Sequence, residues 1–192
     1  MTVVLRPPQH FEPLDSLPLL GALGAALTLS SKFGIMAQVR WPNDVMFLER
    51  KLGGALAESK FRGNTLECVL LGLGINVNFH SRLIAADAVR AITTLDILGY
   101  DIDRAEAISH ILFELEQLYE HVRLGEFSKV LEALRRNETS RGKRLTLQFG
   151  SETLTGVFED YETLTRVRIR DDGGRVRKIE TSSVIIAEYL DA

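Results

Sequence analysis

Three short segments of this 192-residue chain hold residue types that can do chemistry together: Arg40-Trp41-Pro42-Asn43-Asp44, Arg50-Lys51-Leu52-Gly53-Gly54, and Gly72-Leu73-Gly74-Ile75-Asn76-Val77-Asn78. The first ends a strand on Trp-Pro and then presents two short polar side chains. Proline fixes the turn and removes a competing donor, so Asn43 and Asp44 project where an open sheet usually keeps a ligand. The alternative is an ordinary Asn/Asp turn. In the second segment, Lys51 follows a tight turn and Gly53-Gly54 lies inside a strand. Glycine weakens a strand, so a ligand approaching the backbone and a β-bulge are the two readings. Lys51 by itself reads most simply as a solvated turn lysine.

The pairing of the first two segments says more. A hairpin turning at Glu49-Arg50 opposes Leu48 to Lys51 and Asp44 to Ala55, which puts Asp44 and Lys51 on one face. Their backbones then lie roughly 13 Å apart at about 3.3 Å per residue. That spacing predicts no salt bridge, but a gap for a small ligand between a lysine that stabilises an anion and a carboxylate. The third segment is not a dinucleotide fingerprint, because Val77 stands where the third glycine belongs. Nor is it a P-loop, since no Gly-Lys-Ser/Thr closes it. Either Gly72 and Gly74 clear space while Asn76 offers its amide to a ligand, or the strand ends in a glycine turn with Asn76 and Asn78 left-handed.

The elements that must position these residues follow from periodicity. Residues 2–5 read as a strand ended by Arg6-Pro7-Pro8. A helix capped at Asp15 or Ser16, with Pro18 in its first turn, runs to Gly34. Residues 35–40 alternate as a strand, and Val45–Leu48 with Leu52–Ala57 form a hairpin. After a turn at Arg62-Gly63-Asn64, Leu66–Leu73 is apolar enough to predict a central strand covered on both faces. Helices are predicted near 84–98, from Asp103 (with Glu106 completing a capping box) to about Gly125, and over roughly 126–136. From Arg141 the period returns to two, with a hairpin turn at Asp171-Asp172-Gly173-Gly174. A helix-and-strand body followed by a small β-barrel results, divided at about Asn137–Ser140.

Composition narrows the class. The formal net charge is −3, with 45% hydrophobic and 26% charged residues, so no basic surplus points to nucleic acid and no acidic block to a disordered tail. Cys68 is the single cysteine, which suits a reducing compartment such as the cytoplasm. It reads as core rather than nucleophile. The longest apolar runs are read as short of a membrane span, and the N-terminus lacks a secretory pattern. His10, His80, His110 and His121 show no ligand spacing. Arg166, Arg168 and Arg170 form a basic strand face, by default solvated.

Taken in order, the three segments resemble the catalytic domain of biotin–protein ligases. That family shows Lys-Trp-Pro-Asn-Asp, then Lys-Leu-x-Gly-Ile-Leu-x-Glu, then Gly-x-Gly-x-Asn; here these are Arg40 to Asp44, Lys51 to Glu58 and Gly72 to Asn76. The resemblance implies an α+β fold with a mixed sheet and packed helices, of the class II synthetase-like biotin/lipoate ligase type, over residues 1–138. An SH3-like domain would occupy 139–192. It implies ATP-dependent formation of biotinyl-AMP and transfer of biotin to a lysine of a biotin carboxyl carrier protein or domain, with Mg2+ accompanying ATP. Lys51, Asp44 and Arg40 would be catalytic; Trp41, Asn43, Gly53, Gly54, Gly74 and Asn76 would line the adenylate. Two departures stand out. Arg40 replaces the family's lysine, and a guanidinium is not a point charge. The family's upstream Gly-Arg-Gly-Arg-x-Gly loop has no counterpart between Met1 and Arg40, so the expectation is a truncated catalytic domain that needs a further N-terminal segment or partner chain. No DNA or membrane partner is expected, and pairing of copies through their sheets stays open. The rival is a non-catalytic adenylate-binding or protein-interaction module.

Overall fold

The computed structural model describes residues 1–9, 11, 13–78 and 99–190. The helix expected near 84–98, and His10 and His80, lie outside them. The first sheet contains β1 (Thr2–Leu5), β2 (Gln38–Arg40), β3 (Asp44–Phe47), β4 (Arg50–Arg62) and β5 (Thr65–Ile75) in the order β1-β5-β4-β3-β2. Every pairing between these strands is antiparallel. This corrects the expected mixed sheet. A single parallel bridge, Val39 with Glu138, lies at its β2 edge.

Helix α1 (Leu17–Phe33) covers one face of this sheet. Pro18 opens it, and left-handed Gly34 closes it by donating its N–H to Leu29 O, the expected asymmetry of helix ends. The segment Leu14–Phe33 is long and apolar enough, by length and composition, to cross a membrane, which corrects the reading that all apolar runs fall short. Burial accounts for its composition: Leu19, Leu20, Leu23, Ala26 and Leu29 are buried in the core, and a helix enclosed on most sides is apolar all round. Helix α2 (Arg104–Arg123) starts where predicted, with Asp103 accepting from the N–H groups of Ala105 and Glu106. It lays Ala107, Ile111, Leu115 and Leu118 on α1, whereas Ile108 and Leu112 stay exposed.

The opposite face of the sheet is more open. In β5, Val69, Leu71 and Leu73 are buried, while Cys68, Leu70 and Gly72 are only half-buried. The strand is therefore not covered on both faces, and Cys68 belongs to the open side rather than the core.

After α3 (Phe127–Asn137) come β6 (Arg144–Phe149), β7 (Glu152–Tyr161), β8 (Arg166–Asp171), β9 (Val176–Glu180) and β10 (Ile186–Tyr189). They form a second antiparallel sheet, ordered β10-β6-β7-β8-β9. Leu145, Leu147, Phe158, Val167 and Ile169 are its buried centre. The arginines of β8 are paired: Arg166 with Glu180, Arg168 with Asp160 at 3.8 Å, and Arg170 with Glu159. They do not form an open basic surface.

Asp160 ties α3 to this sheet. Its Oδ1 accepts from Arg135 at 3.1 Å, from Arg141 at 2.8 Å and from the Tyr161 N–H at 2.8 Å. Burial pushes its pKa up, but the Arg135 and Tyr161 hydrogen bonds and the two cations outweigh that, leaving the carboxyl below its usual range. A depressed carboxylate contributes stability above its unfolded pKa and loses it as pH falls through the native value. Asp160→Asn should therefore cost about 1–2 kcal/mol near neutrality. That gap should close as pH falls through and below the usual aspartate range, as measured by urea unfolding at pH 7 and in acid.

Candidate active site

The hairpin that carries the site turns one residue earlier than predicted. Leu48 and Glu49 form a two-residue turn, both with positive φ, 49° and 61°, as the twist of a tight hairpin requires. Phe47 then opposes Arg50, Met46 opposes Lys51, and Val45 opposes Gly53. Leu52 has no opposite number and forms a β-bulge. Beyond it Asp44 opposes Gly54, not Ala55.

The bulge decides which residues share the open face. Lys51 and Gly54 are three apart, an odd step that a regular strand would split between its two faces. The extra residue brings both to the face that carries Asp44. Lys51 is also nearer to Asp44 than predicted, because it opposes Met46, about 7 Å along the strand at the usual rise. Its stem spans that gap, and Lys51 Nζ lies 2.5 Å from Asp44 Oδ1. The predicted absence of a salt bridge is thus corrected. Asp44 Oδ2 accepts from Arg40 Nη2 at 2.9 Å. Both carboxylate oxygens hold a cation.

Next to this triad lies a cleft of about 590 Å³, bordered by Asn43, Lys51, Gly54, Gly72, Gly74 and Asn76. Gly54 and Gly74 are cross-strand partners, so they extend the Asp44 row across three strands. Among the described residues, a Cβ on Gly74 would meet nothing within 4 Å, and one on Gly72 only Leu56 O at 3.8 Å. The cleft floor is therefore bare backbone at Gly72 and Gly74, with Met1 and Leu56 also at its border. Gly54 makes room for the triad itself, since its Cβ would lie 3.4 Å from Asp44 Oδ1 and 3.1 Å from Asn43 O. Gly53 also borders the cleft with its backbone, but a Cβ there would fall 2.2 Å from Gly74 O. Its lack of a side chain lets β4 and β5 pair. Asn43 is pinned, donating Nδ2 to Ala55 O at 2.6 Å, while its own carbonyl accepts the Ala55 N–H.

Trp41 does not present its ring to the cleft. It is fully buried and reaches the second sheet and the segments flanking it. Its backbone N–H donates to Ser140 Oγ at 2.9 Å and its indole N–H to Thr181 Oγ1 at 3.3 Å. Its ring lies 6.0 Å from that of Phe158, and its carbonyl accepts from Tyr189 Oη at 2.8 Å. A cis peptide joins it to Pro42.

Sequence reasoning missed Tyr189. Its ring lies beneath Arg40, 5.0 Å from the guanidinium carbon. Burial pushes its phenol pKa well up, so it remains a hydrogen-bond donor. No local pattern announces it, for it joins the site only when the second sheet docks. A smaller recess of about 320 Å³ at this junction is bordered by Asp44, Lys51, Leu56, Val184, Ile185 and Tyr189.

The Lys51–Asp44 pair beside the glycine-lined cleft is the candidate site, and known proteins show what the chain around it resembles. Residues 3–76, which contain the three motifs, match the Biotin/lipoate A/B protein ligase family model. The bifunctional ligase/repressor BirA of Bacillus spizizenii is 32% identical over 120 residues, which is 62% of this chain and 37% of that protein. A biotin–[acetyl-CoA-carboxylase] ligase of Paracoccus denitrificans is 22% identical over 178 residues, covering 91% of this chain and 74% of that one. The apo biotin protein ligase of Aquifex aeolicus superposes with a TM-score of 0.83 at 25% identity, covering 98% of this chain and 80% of that one. The same enzyme in complex with biotin and ATP gives 0.79 at 25% identity, covering 98% and 77%. The chain thus spans 37% of the length of the first curated relative it matches.

The glycines separate structural from spatial roles. Gly53→Ala should cost about 3 kcal/mol or prevent folding, because the new methyl meets backbone. Gly74→Val should change stability by less than about 1 kcal/mol while filling the cleft. Urea denaturation of the two variants checks both.

Proposed function

We propose that this chain is the catalytic body of an ATP-dependent biotin–protein ligase, with residues 139–192 as its SH3-like domain. The observation that carries the reading is the Lys51–Asp44 pair, whose lysine borders a cleft shared with Gly54, Gly72 and Gly74 and whose aspartate borders the adjoining recess, on a fold shared with a ligase solved with biotin and ATP. In the first step a biotin carboxylate oxygen bonds to the α-phosphorus of ATP and pyrophosphate leaves, giving biotinyl-AMP. In the second, a carrier lysine amine attacks the acyl carbon. AMP leaves, the amine loses a proton, and an amide forms.

Lys51 suits the first step. Its ammonium is placed to meet negative charge that builds at the phosphorus, and such preorganised charge usually gives the largest catalytic effect. Asp44 suits the second, orienting the incoming amine and accepting its proton. The bare backbone at Gly54 and Gly74 lets the adenylate lie against the sheet, with Asn43 and Asn76 at its border. Trp41 acts as support rather than contact. Among the described residues no group of three His, Cys, Asp or Glu could hold a metal. Mg2+ would arrive on the ATP phosphates, which suits an ion that keeps its waters and needs few protein ligands. The acceptor would be a biotin carboxyl carrier domain.

Pyrophosphate release with biotin and ATP, and label transfer to a carrier domain, test the reading. Lys51→Ala should slow pyrophosphate release by about 10²–10³-fold. Asp44→Asn should slow transfer from preformed biotinyl-AMP by about 10²-fold. If neither ATP nor biotinyl-AMP binds, and Lys51→Ala changes nothing, the chain is an interaction module instead.

A further inference from the structure

We propose that Arg40, clamped between the Tyr189 ring and Asp44, is the permanent partner of the Asp44 carboxylate, whereas Lys51 is an exchangeable partner that leaves for a ligand's anion. The exchange rests on the ligase reading for its consequence, but the clamp does not.

The two cations on Asp44 are held very differently. The Arg40 side chain is 16% exposed and that of Lys51 42%. Arg40 stacks on Tyr189 at 5.0 Å, and Tyr189 is itself fixed by its hydrogen bond to Trp41 O. A planar guanidinium can lie flat on a ring and still donate in its own plane to a carboxylate; an ammonium cannot do both as well. Arg40 Nε is buried without a hydrogen-bond partner, so stacking and the single Asp44 contact set its position. Lys51 has no comparable support. It sits beside the turn, on a flexible stem, and borders the cleft.

This asymmetry gives an order of events. While the cleft is empty, Lys51 covers Asp44 Oδ1. An anion entering the cleft competes for Lys51 and draws its ammonium off Asp44. Arg40 stays on Oδ2 and prevents the freed carboxylate from turning away. Oδ1 then becomes the acceptor that an incoming amine needs, and only once an anionic ligand is in place. Tyr189 and Arg40 are positioning residues in this scheme, acting through Asp44.

The test uses the full chain labelled with ¹⁵N-arginine and ¹³Cε-lysine. The Arg40 Nε–Hε signal should be displaced by the Tyr189 ring. It should return towards the solvent-exposed position in Tyr189→Leu and stay displaced in Tyr189→Phe, which keeps the ring. Inorganic pyrophosphate should move the Lys51 Cε signal and leave Arg40 unmoved. An Arg40 signal indifferent to Tyr189→Leu overturns the clamp. An Arg40 signal that moves with pyrophosphate, or a Lys51 signal that does not, overturns the exchange. In the two half-reactions, Tyr189→Leu should lower kcat of transfer from biotinyl-AMP about tenfold, without raising KM for ATP in adenylation. That loss should vanish in an Asp44→Asn background. If it persists there, or both half-reactions fall together, Tyr189 is merely structural. If the unmodified chain transfers no biotin at all, the ligase reading fails while the spectroscopic result still decides the clamp.

Discussion

Trp41 is where the two sheets of this protein become one structure. Its backbone and indole N–H groups donate to Ser140 and Thr181, its carbonyl accepts from Tyr189, and its ring packs by Phe158. Each polar group that a buried tryptophan would leave costly is thereby satisfied. Two more ties support the junction: the Thr139 N–H donates to Val39 O, and Lys143 pairs with Glu49 at the hairpin turn. Arg40, Asn43 and Asp44 all lie within three residues of this anchor. Asp44 cannot shift unless Pro42 and Asn43 shift, and those are held on one side by the second sheet and on the other by Ala55.

The open face works by omission as much as by placement. Gly54 leaves room for the Asp44 carboxylate, Gly74 and Gly72 leave room for a ligand, and Gly53 leaves room for a neighbouring strand. These are three different demands met by one residue type. Side chains would add favourable packing and strand propensity here, so the sheet gives up stability to keep a bare floor. The large core under α1 offsets that loss.

Much of this was legible in the sequence. The helix ends at Pro18, Gly34 and Asp103 carry local signals, and the period-two tail could be read residue by residue. The three motifs and their order pointed to the family whose model residues 3–76 match. What failed was long-range or non-periodic. Alternation cannot reveal a bulge, so the strand register missed Leu52 and with it the Lys51–Asp44 contact. An apolar strand does not state whether its second face is covered, so Cys68 was misplaced. The role of Tyr189 depends on docking across 148 residues of chain, from Trp41 to Tyr189, and no spacing rule reaches that far. Trp41 itself was visible as a motif residue but not as an anchor, because a motif shows which residues matter and not which way each one faces.

The bulge also explains a detail of the motif's arithmetic. A chain that built the same face with a regular ladder would need its lysine and its floor glycine two residues apart. Here they are three apart, Lys51 and Gly54, with Leu52 turned into the core. The spacing is thus a written record of a bend in the strand. A motif usually treated as a string of letters encodes, in its length alone, a piece of backbone geometry.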